Sequence, residues 1–236
     1  MLHILSCFRR FSRFERFLWG ASCLAVLFSF LIFDRVHYLT LLASLVGVTS
    51  LIFSARGNPI GQLLMVVFSL LYGVISYAQR YYGEMITYLG MTMPMAVFAL
   101  IAWLRNPFNG SRSEVAVSHV GPQESVFMFT AAFAVTALFH FILRAFDTAH
   151  LTLSTLSVTT SFIAVYLTFR RSPAFALAYA ANDVVLIALW ALASTQEPRY
   201  WSVVVCFIAF LLNDGYGFIS WRRMKRMQEA LRRGDW

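Results

Sequence analysis

Residues 173–193 read PAFALAYAANDVVLIALWALA. A proline opens the run, and one polar pair, Asn182-Asp183, interrupts it. The apolar residues are continuous rather than alternating, so the segment is a helix and not a half-buried strand. A hydrocarbon core about 30 Å thick is crossed by about 20 residues of helix, the length of this stretch. An aspartate at mid-span costs about 2.5–3.5 kcal/mol on the insertion scale, so Asp183 must face protein or water.

The pattern recurs along the chain. Apolar stretches fall at 17–33, 38–54, 59–79, 84–104, 125–144, 150–169, 173–193 and 199–221. Of the 19 Lys and Arg and 11 Asp and Glu, only Asp183 and Asp214 lie inside them; the rest sit at their ends or between them. The hydrophobic fraction is 59%, with a mean hydropathy of +0.67. That is well above the roughly 45–50% of soluble domains. The fold class is therefore all-α and polytopic, with eight transmembrane helices.

Several function classes drop out. The net charge of +8 does not describe a nucleic-acid surface, because the arginines lie at segment ends rather than on one face. HExxH, GxSxG and GxxxxGK(S/T) are absent, so no enzyme signature is present. The histidines (His3, His37, His119, His140, His150) show no ligand spacing, and Cys7, Cys23 and Cys206 form no CxxC pair. No metal or cofactor is expected. Phe8, Phe11, Phe14 and Phe17 recur every third residue among Arg9, Arg10, Arg13 and Arg16. Residues 1–16 thus read as an amphipathic helix on the inner membrane surface. The apolar run after it is too long for a cleavable leader and lacks its small-residue site.

Charge sets the orientation. Alternate gaps divide Lys and Arg 15 to 4. Both termini lie on the richer side, which the positive-inside rule makes cytoplasmic, and an even number of spans follows. The longest connection, 105–124, carries Asn109-Gly110-Ser111 and Gly121-Pro122, both turn chemistry. It divides the chain into halves that match. The segment from Phe98 to Trp103-Leu104-Arg105 aligns with that from Tyr216 to Trp221-Arg222-Arg223, and Arg56-Gly57-Asn58-Pro59 with Arg170-Arg171-Ser172-Pro173. The expected architecture is two parallel three-helix repeats, 38–104 and 150–221, joined by a linker helix at 125–144. An extra N-terminal helix at 17–33 precedes them, and a basic tail at 222–236 follows. This 3+1+3 plan is that of SWEET-like transporters, whose sites lie near the midplane between repeats.

Helix interruptions at matched positions point to the substrate in such folds. Pro94 breaks the third helix of the first repeat and aligns with Leu212, next to Asn213-Asp214-Gly215, where a second break is expected. Asn182 and Trp190 are two turns apart on one face, about 12 Å. Asn213 and Tyr216 share a face. Amides, acids and aromatics on adjacent helices suit a flat ring stacked on an aromatic, with hydroxyls bonded by amides. A plainer alternative has Asn182, Asp183, Asn213 and Asp214 bond one another to lock two helices.

At this point the residues resemble a known family. The run Tyr81-Tyr82-Gly83-Glu84-Met85-Ile86 through Met91-Thr92-Met93-Pro94-Met95 to Trp103-Leu104-Arg105-Asn106-Pro107-Phe108 is similar to the PnuC transporters. So are Asn182-Asp183 through Trp190 and Asn213-Asp214-Gly215-Tyr216-Gly217 through Trp221. The resemblance implies uptake of nicotinamide riboside across the bacterial inner membrane by facilitated diffusion, with trapping by a cytoplasmic nicotinamide riboside kinase. It implies a homotrimer in the lipid bilayer, no cofactor and no nucleic-acid partner. Binding roles carry over onto Asn182, Trp190, Asn213 and Tyr216. Placement adds Gln79, Tyr88, Thr92 and Gln196, and depth adds Asp183 and Asp214. One branch of the family takes up thiamine, and proton coupling through the aspartates is a further alternative.

Overall fold

The computed structural model describes residues 11–78, 82–148 and 150–233. Among them are eight helices long and apolar enough to cross a membrane: α1 (Arg13–Phe33), α2 (Tyr38–Ala55), α3 (Ile60–Ala78), α4 (Tyr82–Arg105), α5 (Pro122–Ala145), α6 (Leu151–Phe169), α7 (Phe175–Ser194) and α8 (Trp201–Arg233). Large apolar side chains such as Phe17, Phe133 and Phe141 point outward. Hydrocarbon is the surrounding that makes this arrangement favourable.

Helix α1 begins earlier than the apolar run suggests. Ser12 caps it: the Glu15 amide donates to Ser12 Oγ (3.1 Å), and Glu15 Oε2 accepts from the Ser12 amide (2.6 Å). This capping box carries residues 13–16 into the spanning helix. The expected surface helix over 1–16 therefore loses its last four residues to α1, and residues 1–10 lie outside the described part.

The turns α2–α3 and α6–α7 have the same construction. The amides of Gly57 and Asn58 donate to the carbonyls of Ser54 (2.9 Å) and Phe53 (3.1 Å). Those of Arg171 and Ser172 donate to Thr168 (3.0 Å) and Leu167 (3.0 Å). Gly57 and Arg171 both take positive φ, 65° and 56°. Pro59 and Pro173 follow and stop each helix from running on. The matched tryptophans then cross over. Trp103 Nε1, at the end of α4, donates to the Thr168 carbonyl of α6 (2.9 Å). Trp221 Nε1, on α8, donates to the Ser54 carbonyl of α2 (2.8 Å). Both rings are fully buried, so each caps a helix-end carbonyl that water cannot reach.

Helices α2 and α3 approach closely at Gly61. A Cβ there would lie 2.6 Å from the Ser54 amide nitrogen and 2.9 Å from the Ser50 carbonyl. Ser50 Oγ donates to the Gly61 carbonyl across this contact (2.8 Å). Small residues and hydroxyl bonds hold helices together where burial alone cannot drive them together.

Pro94 has the effect expected of it. It lacks an N–H, and its ring crowds the carbonyl four residues back. The helix responds with a π turn over Tyr88–Thr92, closed by the Met93 amide on the Tyr88 carbonyl. The second expected break does not exist: α8 is continuous through Asn213-Asp214-Gly215. Glycine keeps its N–H and costs only about 1 kcal/mol in a helix. Nothing lies within 4 Å of where a Gly215 Cβ would be, so no close neighbour forces a break.

The long loop is partly ordered as a hairpin, β1 (Pro107–Phe108) with β2 (Ser111–Val115). Asn109 and Gly110 both take positive φ, 46° and 73°, as a two-residue hairpin turn requires. Helix α8 runs past Trp221 to Arg233 and clamps this hairpin. Gln228 accepts from the Val117 amide (2.8 Å) and donates to the Val115 carbonyl (3.0 Å) and to Glu114 (2.8 Å).

Candidate substrate path

Two cavities mark a path between α4, α6, α7 and α8. The deeper lies at mid-span, with a volume of only about 30 Å³. Tyr88, Thr92, Ser161, Tyr179, Asn182, Asp183 and Asp214 supply its polar lining. Asn182 is held from behind: its Oδ1 accepts from Thr160 Oγ1 (2.8 Å) and Ser161 Oγ (3.0 Å) on α6. With the acceptor thus occupied, the amide has its two N–H donors left for a ligand. Asp183 is buried and adjacent to Asp214. The π turn presents Tyr88 and Thr92 from the opposite side, and the Tyr88 ring packs on Tyr72 with centroids 4.4 Å apart.

The second cavity is a vestibule of about 250 Å³ at the end of the bundle away from the termini. It is walled by the start of α4, the α5–α6 loop, α6, the end of α7 and the approach to α8. Trp190 lies on its wall, 5.2 Å from the Tyr200 ring. Glu84, Asp147 and Glu197 line it, together with His150 and Gln196; among the described residues no Lys or Arg does. Glu84 and Tyr88 are one helical turn apart, as are Leu186 and Trp190, so both walls connect the vestibule to mid-span.

The expected site residues divide into three groups. Asn182, Asp183, Asp214, Tyr88 and Thr92 meet at mid-span. Trp190 and Gln196 line the vestibule. Asn213 and Tyr216 line neither and turn toward α1. Asn213 Nδ2 donates to Ser22 Oγ (2.9 Å) and to the Ala209 carbonyl (2.8 Å). The Tyr216 hydroxyl donates to Glu15 Oε1 (2.9 Å). Gln79 lies outside the described residues.

A family model described as nicotinamide mononucleotide transporter matches residues 37–223. The chain belongs to this family. Among its relatives is the nicotinamide riboside transporter PnuC of Neisseria mucosa (strain ATCC 25996 / DSM 4631 / NCTC 10774 / M26). It is 24% identical over 202 residues, which are 82% of this chain and 75% of the relative. The crystal structure of a vitamin B3 transporter PnuC superposes with a TM-score of 0.80 at 20% identity, covering 92% of this chain and 94% of that one. At that identity the likeness shows the fold.

As a PnuC-family member the chain is a multi-pass membrane transporter, not an enzyme. The family match begins after α1, so Ser22 and Glu15, the partners of Asn213 and Tyr216, lie outside the matched region. Glu84, Tyr179, Thr160 and Ser161 join these groups, and the sequence pattern does not single them out. Glu84 opens its helix, where a charge is ordinarily solvated, yet it is only 6% exposed. Thr160 and Ser161 belong to the hydroxyl run Thr159-Thr160-Ser161 at the middle of a span. Three adjacent hydroxyls at that depth were the available signal.

Proposed function

We propose that this protein carries nicotinamide riboside across the bacterial inner membrane by facilitated diffusion. Both termini are cytoplasmic, and a cytoplasmic kinase traps the product. The observation that supports this is the sign of the path. Five carboxyl groups line its two cavities, and no Lys or Arg does among the described residues. A pyridinium cation suits such walls. A phosphomonoester, carrying about −1.5 to −2 charge at neutral pH, meets carboxylates and, among the described residues, no Lys or Arg on the cavity walls, which argues for the riboside over the mononucleotide.

In this reading Asn182 donates to the carboxamide or a ribose hydroxyl. Asp183 and Asp214 balance the ring charge, Tyr88 and Thr92 close the opposite wall, and Trp190 stacks on the ring as it enters. A cation over an aromatic face gains about 0.5–2 kcal/mol. Asn213 and Tyr216 act through α1, fixing the helix that carries Asp214. Gln196, and Gln79 beyond the described residues, contact substrate at the rim. The reciprocal tryptophan bonds support two like-built units that rock about a site between them. A mid-span cavity of about 30 Å³ must open to admit a nucleoside, because ligand pockets run to about 300 Å³ and above. The assembly is a homotrimer with one path in each protomer.

Calorimetric titration of the purified protein with nicotinamide riboside, its mononucleotide and thiamine tests the reading. The riboside is expected to bind at least about tenfold tighter than either, a difference of about 1.4 kcal/mol. Equal or tighter binding of the mononucleotide would overturn it, and tighter binding of thiamine would reassign the substrate. The adjacency of Asp183 and Asp214 favours one other reading, in which a proton travels with the nucleoside.

A further inference from the structure

The vestibule has features that a simple entrance does not need. Glu84 sits at its floor, only 6% exposed. Among the described residues its carboxyl has neither a hydrogen-bond nor an ion-pair partner. Leaving a carboxyl so placed is costly unless something charged comes to it. Two ring pairs flank the same space: Tyr82 with Phe146, centroids 6.0 Å apart, and Trp190 with Tyr200, 5.2 Å apart. Asp147 and Glu197 stand at the rim. The nearby cation Arg199 is ion-paired with Glu197 (2.5 Å) and lies over the Tyr200 ring (5.1 Å). It does not line the cavity. Gly83 keeps this end of α4 close to the α5–α6 loop: a Cβ there would lie 2.6 Å from Thr148 Oγ1 and 2.7 Å from Leu143 Cδ2.

We propose that the vestibule is a binding site in its own right, separate from mid-span, which takes a cationic aromatic ring with Glu84 as its counter-charge. The ring lies against Tyr82, Phe146 and Trp190, whose faces attract positive charge. At about 250 Å³ the cavity holds a single pyridinium ring while mid-span is closed. The cation is thus captured before the mid-span residues part. The inference rests on the cationic substrate proposed above.

The test uses 1-methylnicotinamide, a pyridinium without a ribose, and nicotinamide, its neutral counterpart. Each is titrated calorimetrically into the purified full-length protein and its variants. Wild type is expected to bind the cation, and Glu84→Gln to weaken that binding about tenfold, with nicotinamide unmoved. Glu84→Asp should recover part of the loss. Phe146 is half-exposed on a loop, so Phe146→Ala should fold normally and weaken the cation about threefold. Failure of wild type to bind the cation overturns the proposal. So does an equal effect of Glu84→Gln on both probes, or no effect on either. Cation binding without riboside binding would leave the vestibule site standing and overturn the transport reading; the reverse would do the opposite.

Discussion

Asn213 donates its amide to Ser22 Oγ at 2.9 Å, joining α8 to α1 across 191 positions of sequence. Three residues on, the Tyr216 hydroxyl bonds Glu15 of the same helix, and Glu15 is ion-paired with Arg56 (3.5 Å). Asp214, between them in sequence, faces the mid-span cavity instead. One turn of α8 is thus fixed on its outer side while its other side meets the path. If Asn213 and Tyr216 act only through α1, Ser22→Ala and Tyr216→Phe should each cost about 1–3 kcal/mol of stability, the range for a lost buried hydrogen-bond partner. Nucleoside affinity should stay within about twofold of wild type, well under 1 kcal/mol. Thermal unfolding in detergent together with calorimetry checks both. A large loss of affinity at full stability would return Asn213 and Tyr216 to direct contact.

Trp190→Ala removes the ring face between the vestibule and the route inward. Loss of a stacked base costs about 1–3 kcal/mol, so riboside affinity should fall about five- to 150-fold. Trp190→Phe should keep most of it. Unchanged affinity in the alanine variant would make Trp190 a wall residue packed on Tyr200.

Pro94→Ala restores the missing donor and removes a ring that costs about 3 kcal/mol in a helix interior. The π turn should relax toward α-helix, moving Tyr88 and Thr92 relative to the cavity. The expected outcome is a protein at least as stable as wild type but slower in liposome uptake. Wild-type uptake would show that the π turn serves packing alone.

Asp183→Asn and Asp214→Asn separate counter-charge from proton coupling. Under facilitated diffusion, uptake into liposomes is indifferent to an imposed pH gradient in wild type. Each amide variant should weaken riboside binding more than binding of its neutral dihydropyridine form. Uptake driven by the gradient, and lost in either variant, would establish coupling.

Trp103→Phe and Trp221→Phe each strip the donor from a buried helix-end carbonyl. If the two units are built alike, the two losses should be similar, each about 1–3 kcal/mol. Thermal unfolding measures them. A loss in only one variant would show that the matched ends bear unequal load.

Much of this was legible in one dimension. Lipid must be met by apolar side chains on a backbone that bonds itself, so hydropathy alone placed eight spans. Two aspartates stood out for the same reason, and both line the cavity at mid-span. Pro94 announced its break because a missing N–H is a property of the residue itself. Asn213-Asp214-Gly215 did not break α8, because polarity in a helix demands a partner rather than a distortion, and Ser22 supplies one.

Which partner a polar side chain meets is a fact about neighbouring helices, and spacing along one helix does not contain it. Asn182 and Asn213 look equivalent in sequence. Packing turns one amide into the cavity and the other onto α1. Glu84 reads as an end charge until the α5–α6 loop closes beside it. The number of spans, the depth of the acids and the site of the kink follow from the amino acids alone, because each depends on a residue and its solvent. Which of those groups share a cavity follows from packing, because helix rotation is set by contacts between segments far apart in the chain.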